Sequence, residues 1–308
     1  MTESIEPILA QGAVLACTDL SPAAERAVWR AAQLAQQLGL PVGLLHVLPA
    51  EGMALLRQWL GVEVDVEPRL MADANHRLLQ QWQSATVASH PAPPMVPMVR
   101  RGALIGGLKA AIVAHQPAVV VLGARGEGDL VHQVLGTTAL RLLQRSQRPM
   151  LVVRGQQAAG YQRVLLPVDF SAWSALTLQC VRRFMPQAHV VLLHAWSVPF
   201  EQKMFVAGVD EEVVAHYRAK AMEEAELLMA QFVRDHGAQG EAFTVKVVQG
   251  DASHVIVAQA QALQCDVIAL GKHGQQAAED WLLGSVCKHV LNEFDGDVLG
   301  VNGPNGVA

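Results

Sequence analysis

Charge is scarce in this chain of 308 residues: Asp, Glu, Lys and Arg make up 17% of it, and they leave a net charge of -5. With only seven Phe alongside that balance, a general nucleic-acid surface is not expected, because such a surface needs clustered Lys and Arg to neutralise phosphates. Long apolar runs are missing as well. No stretch approaches the roughly 20 residues that cross a bilayer, and the acidic start Met1-Thr2-Glu3-Ser4-Ile5-Glu6-Pro7 lacks the basic region and apolar core of a secretory signal. The expectation is a soluble, cytoplasmic protein without a membrane span.

Cysteine is sparse and unpaired in spacing. Cys17, Cys180, Cys265 and Cys287 form no Cys-x-x-Cys pair, so they read as buried thiols of a reducing compartment instead of a metal or redox site. The twelve His residues include no His-x-x-x-His pair with a carboxylate, which argues against zinc. No metal ligands and no catalytic residues are assigned.

What the chain does have is repetition. Gly123-Ala124-Arg125-Gly126 is followed by nine residues and then Gly136-Thr137; Gly271-Lys272-His273-Gly274 is followed by nine residues and then Gly284-Ser285. Asp19 in Cys-Thr-Asp-Leu-Ser returns 150 positions later as Asp169 in Pro-Val-Asp-Phe-Ser. His46 returns 148 later as His194, and Gly102 returns as Gly250 at the same offset. The chain is one domain written twice, and its length suits two domains of ordinary size. The boundary is expected in the linker Gly155–Gly160, giving domains 1–156 and 157–308.

Each half alternates apolar strands with helices. Ala13–Cys17 reads as a strand buried on both faces; Ser21-Pro22 supplies an N-cap and a first helical Pro, and Gly39 ends the helix. Further segments, from Val42–Val47 to Met150–Val153 and from Val164–Val168 to Val298–Val301, continue the alternation. The fold class is α/β, with a doubly wound parallel sheet in each half and helices on both faces. Ligands bind such sheets outside the carboxyl ends of the strands. His46 and His194, at strand ends, read as hydrogen-bonded packing. Ala118 before the fourth strand of the first half, where the second has Asp266, is expected to bear on helix packing.

The glycine spacing suits a polyphosphate, since Gly lets the backbone approach it and the following helix offers unpaired N–H groups. With these residues in place, each half resembles a universal stress protein domain, and the whole chain resembles a tandem member of that family. The resemblance implies five strands per half in the order 3-2-1-4-5, and halves that pair as a pseudo-dimer, with a homodimer of chains as a further arrangement. It also implies adenine-nucleotide binding, with ATP, ADP or AMP undistinguished. Asp19 and Asp169 would bond the adenine beside the backbone of Val47 and Ala195; Gly123, Gly126, Gly271 and Gly274 would contact ribose and phosphates. Gly136, Thr137 and Thr138, with Gly284, Ser285 and Val286, would hold the distal phosphates.

Glu127, Asp129, Glu279 and Asp280 would repel a triphosphate unless a divalent cation such as Mg intervenes, and Arg125, Lys272 and His273 offset them in part. The role implied is stress response or regulation through a protein partner of unknown identity. Two other functions stay open. One is slow ATP hydrolysis, for which no Walker Lys or general base is visible. The other is an apolar-ligand or protein-docking module built on residues 53–60 and 199–206, which read first as segments folded over the core or buried between the halves.

Overall fold

The computed structural model describes Leu9 and residues 12–50, 66–87, 91–124, 137–155, 160–272 and 283–302. The chain divides into two compact units, Met1–Gly160 together with Asn302–Ala308, and Tyr161–Val301.

In the first unit the strands are β1 (Val14–Cys17), β2 (Val42–Pro49), β3 (Met95–Gly102), β4 (Val119–Gly123) and β5 (Met150–Val153). They pair in parallel in the order β3-β2-β1-β4-β5, which is the expected 3-2-1-4-5. The inner strands β1 and β4 are almost wholly apolar and buried, as strands covered on both faces must be. Helices α1 (Pro22–Leu38), α2 (Val66–Thr86), α3 (Leu104–His115) and α4 (Thr137–Arg145) make the crossovers. Local chemistry sets the ends of α1. Ser21 caps it by accepting from the Ala24 N–H, Pro22 opens it, and Gly39 closes it at φ 64°.

The second unit repeats the plan with β6 (Arg163–Pro167), β7 (His189–Trp196), β8 (Phe243–Gln249), β9 (Val267–Gly271) and β10 (Asp297–Val301), parallel and in the order β8-β7-β6-β9-β10. Its helices are α5 (Ala172–Phe184), α6 (Glu201–Val206), α7 (Glu211–Asp235), α8 (Ala252–Ala262) and α9 (Ser285–Glu293). No described helix is long and apolar enough to cross a membrane.

Two expectations are corrected. Asp266 does not act through helix packing: its Oδ2 accepts from the backbone N–H groups of Gln162 and Arg163, at 2.5 and 2.8 Å, and so fixes the start of β6. The 199–206 segment does not cover the core. It forms the short helix α6 with no buried residue, leaving Phe200, Phe205 and Val206 exposed. An ion pair between Arg218 of α7 and Glu201 holds it, with the Arg218 guanidinium over the Phe205 ring at 5.6 Å. Residues 53–60 and the linker positions 156–159 lie outside the described residues.

Candidate functional site

Both halves turn from their first strand into their first helix by the same device. Asp19 and Asp169 each accept, through Oδ1, the backbone N–H of the Ser two residues on, at 3.0 Å. The residue between, Leu20 or Phe170, sits at a positive φ of 66° or 62°. Non-Gly residues rarely adopt that conformation, and a side chain bonded to its own turn is what stabilises it. In the second half the carboxylate gathers more: Oδ1 also accepts from the Ser171 and Ser174 hydroxyls at 2.6 and 2.7 Å, while the Ser174 Oγ accepts from the Asp169 N–H.

The strand beside this turn contributes His194, whose Nδ1 lies 2.7 Å from the Val168 carbonyl oxygen. A carbonyl only accepts, so Nδ1 carries a proton and donates to it. His46 and the Thr18 carbonyl repeat the bond at 2.9 Å. In the first half Thr18 also donates its hydroxyl to Gln81 of α2, which in turn donates to the Ser21 carbonyl, tying α2 to the turn.

At the end of β9, the Lys272 N–H donates to the Val301 carbonyl and the Lys272 carbonyl accepts from the Gly284 N–H, both at 3.0 Å. Gly284 is the N-cap of α9 at φ -58° and ψ 153°, a conformation open to any residue. A Cβ there would meet, among the described residues, only the Lys272 carbonyl oxygen at 3.5 Å. Neither backbone strain nor crowding explains the glycine. The N–H groups of the first turn of α9 have no partners within the helix, so this end carries the positive pole of its dipole.

These pieces enclose a cleft of about 370 Å³ at the carboxyl ends of β6, β7 and β9. Asp169, Ala195, Gly271, Gly284, Ser285 and Val286 all line it, with Trp173, Ser174, His194, Ile256, Lys272 and Cys287. Its size falls within the roughly 300–1,000 Å³ of small-molecule sites. Gly274 lies outside the described residues. In the first half Asp19, Val47 and Gly123 stand at or just beyond the carboxyl ends of the neighbouring strands β1, β2 and β4. Gly126 and Gly136 lie outside the described residues; Thr137 and Thr138 open α4, their side chains undescribed.

By sequence Lys272 is an offset to loop acids, yet in the structure it is 1% exposed. Burial draws its amine down to about 7, opposed by Cys287, and pushes the Cys287 thiol up to about 12, opposed by Lys272 and Lys288. Ser174 was also missed. The described residues hold no cluster of His, Cys, Asp and Glu suited to a metal ion.

The class of protein this defines is an open parallel α/β domain present twice, whose second copy has a cleft at its strand ends beside a helix N-terminus that follows a glycine. The Universal stress protein family model matches residues 12–154 and again 160–302, and the chain belongs to that family. The universal stress protein MJ0577 of Methanocaldococcus jannaschii is 30% identical over 47% of this chain and 97% of its own length. Rv2005c of Mycobacterium tuberculosis, another universal stress protein, is 26% identical over 58% of this chain and 60% of its own. Among solved structures, a universal stress protein of Archaeoglobus fulgidus shares the fold along 96% of this chain and 97% of its own, at 17% identity and a TM-score of 0.63. PA1789 of Pseudomonas aeruginosa does so along 96% and 94%, at 16% and 0.61.

Proposed function

We infer that this protein binds an adenine nucleotide in each half and acts as a regulatory, stress-response protein whose surface changes with the bound nucleotide. One observation carries the reading: the second-half residues that the family resemblance assigns to the ligand come from separate stretches of chain and, where described, line one cleft. The cleft's chemistry fits such a ligand. Asp169, Ser174 and His194 offer hydrogen-bonding groups for a base and ribose at one side, and α9 offers backbone N–H groups for phosphates at the other. Gly284 leaves room where a Cβ would otherwise project. Mg belongs to the proposal as the cation that offsets Glu279 and Asp280, which lie outside the described residues.

The direct test is to purify the protein, denature it and identify released nucleotide by chromatography, then titrate ATP with and without magnesium into ligand-free material. One or two equivalents of adenine nucleotide support the reading. No released nucleotide together with no heat on titration overturns it.

The exposed Phe200, Phe205 and Val206 favour a second reading, a protein-docking face at α6. Replacing Phe205 and Val206 by Ser would abolish partner capture without changing nucleotide affinity on this reading. Unchanged capture removes it.

A further inference from the structure

Phe170 follows Asp169 at φ 62°, a conformation that bulky side chains rarely enter and that persists only where neighbours hold it. The first half has Leu20 there, at φ 66°, and ties α2 to its turn by polar bonds. The Thr18 hydroxyl donates to Gln81 at 2.7 Å, and the Gln81 amide donates to the Ser21 carbonyl at 3.3 Å. Val168 stands where Thr18 would recur, 150 residues on, and has no hydroxyl for such a bond.

The second half uses rings instead. The Phe170 ring lies 4.4 Å from the His194 ring, inclined at 42°, and 6.5 Å from the Phe232 ring, edge to face at 63°. Phe232 belongs to α7, is buried, and does not line the cleft. It is held from behind by the His236 ring at 4.6 Å. The carbonyls of His236 and Gly237 in turn accept from the Arg182 guanidinium of α5, each at 2.8 Å. Phe170 therefore stands between α7 and two cleft residues: Asp169, its neighbour in sequence, and His194, its neighbour in space.

Resting on the nucleotide reading above, we propose that Phe232 is a positioning residue of the second-half site, which through Phe170 holds Asp169 and His194 in the geometry that takes the nucleotide. Burial alone asks only for an apolar side chain at 232, whereas an edge-to-face contact asks for a ring. The same helix carries Arg218, which pairs with Glu201 of α6. The helix that braces the ligand turn is thus the helix that bears the exposed α6.

A double-mutant cycle on ATP affinity in the full-length protein tests this. Phe170→Leu installs the residue that the first half carries in the same conformation. Phe170→Leu and Phe232→Leu are each expected to weaken one of the two ATP sites by about three- to thirtyfold. The double variant is expected to lose no more than Phe170→Leu alone, because Phe232 acts through Phe170. Met229→Val, at another buried residue of α7, is expected to lower stability and leave ATP affinity unchanged. Wild-type affinity in both Phe variants, losses that add in the double variant, or an equal loss in Met229→Val overturns the proposal, and ATP binding to the wild type then leaves the nucleotide reading standing. No ATP binding to the wild type overturns both. Should Phe232→Leu fail to fold, nuclear magnetic resonance decides: saturating ATP is expected to shift the Phe232 ring protons in the wild type and not in Phe170→Leu. Phe232 signals that ignore ATP overturn the proposal.

Discussion

His194 donates its Nδ1–H to the carbonyl oxygen of Val168 at 2.7 Å and so pins the residue that immediately precedes Asp169. The equivalent bond from His46 to Thr18 shows that the device belongs to the repeat unit and not to one half. Truncation to Leu in the second half removes the donor and leaves a carbonyl without it, a loss of about 1–2 kcal/mol. His194→Leu is therefore expected to lower stability by that amount in chemical denaturation, and to weaken ATP binding by loosening the Asp169 turn. A variant as stable as the wild type would mean that the imidazole merely occupies space.

Gly284 separates the needs of folding from those of a ligand. Its backbone angles suit any residue and, among the described residues, a Cβ there makes only an ordinary contact with the Lys272 carbonyl oxygen. Gly284→Val should fold with a stability change under about 1 kcal/mol and lose at least about tenfold in ATP affinity. The contrast is Gly250, at φ +145° with the Val255 Cγ2 only 2.7 Å from a built Cβ. Gly250→Ala should cost about 1–3 kcal/mol through strain. If Gly284→Val is instead the less stable of the two, the glycine is structural.

The buried amine of Lys272 also makes stability depend on pH. Its pKa is depressed to about 7 in the folded chain from 10.5, so between those values the unfolded state binds more protons and stability rises with pH. The penalty is fully present below about pH 7. Above about 9 the thiols act the other way, because Cys17 and Cys287 are raised to about 12 when folded. Lys272→Met should accordingly be more stable than the wild type at pH 6 to 7 by on the order of a few kcal/mol, with the difference shrinking toward pH 9. Thermal denaturation of both proteins across that range measures it; a constant difference contradicts the assignment.

The same burial should silence the thiols. Burial raises the thiol pKa of Cys180 and Cys265 to about 11, and that of Cys17 and Cys287 to about 12, leaving little thiolate at about pH 8. Iodoacetamide under native conditions is expected to modify these four slowly, and rapidly once the chain is denatured, as read by mass spectrometry. Fast native labelling of Cys287 would place a thiolate in the cleft.

Repetition made the fold legible. Shared positions such as Asp19 and Asp169 or His46 and His194 marked strand ends, and the apolar runs between them became strands of the expected order. The same method conceals whatever the halves do not share. Ser174, a partner of the Asp169 carboxylate, corresponds to Ala24, and Lys272 and Cys287 correspond to alanines. Burial of a lysine is in any case a tertiary property: a Lys among loop acids reads as solvated, and only the folded chain shows it buried. The 199–206 segment misled for a related reason, since apolar composition does not say which face of a six-residue helix meets the core.

The paired hydrogen bonds at Lys272, to Val301 on one side and from Gly284 on the other, fasten the two ends of the intervening chain to each other. Closure at the base joins the end of β9 to the end of β10 and to the start of α9 through backbone bonds alone. Changes in the sequence between these anchors are expected to leave both bonds in place, provided Leu283, a buried core residue, is kept. Grafting residues 125–134 of the first half in place of 273–282 is therefore expected to leave the second half folded, as thermal denaturation would show. The two halves could thus differ between their anchors while keeping one way of folding.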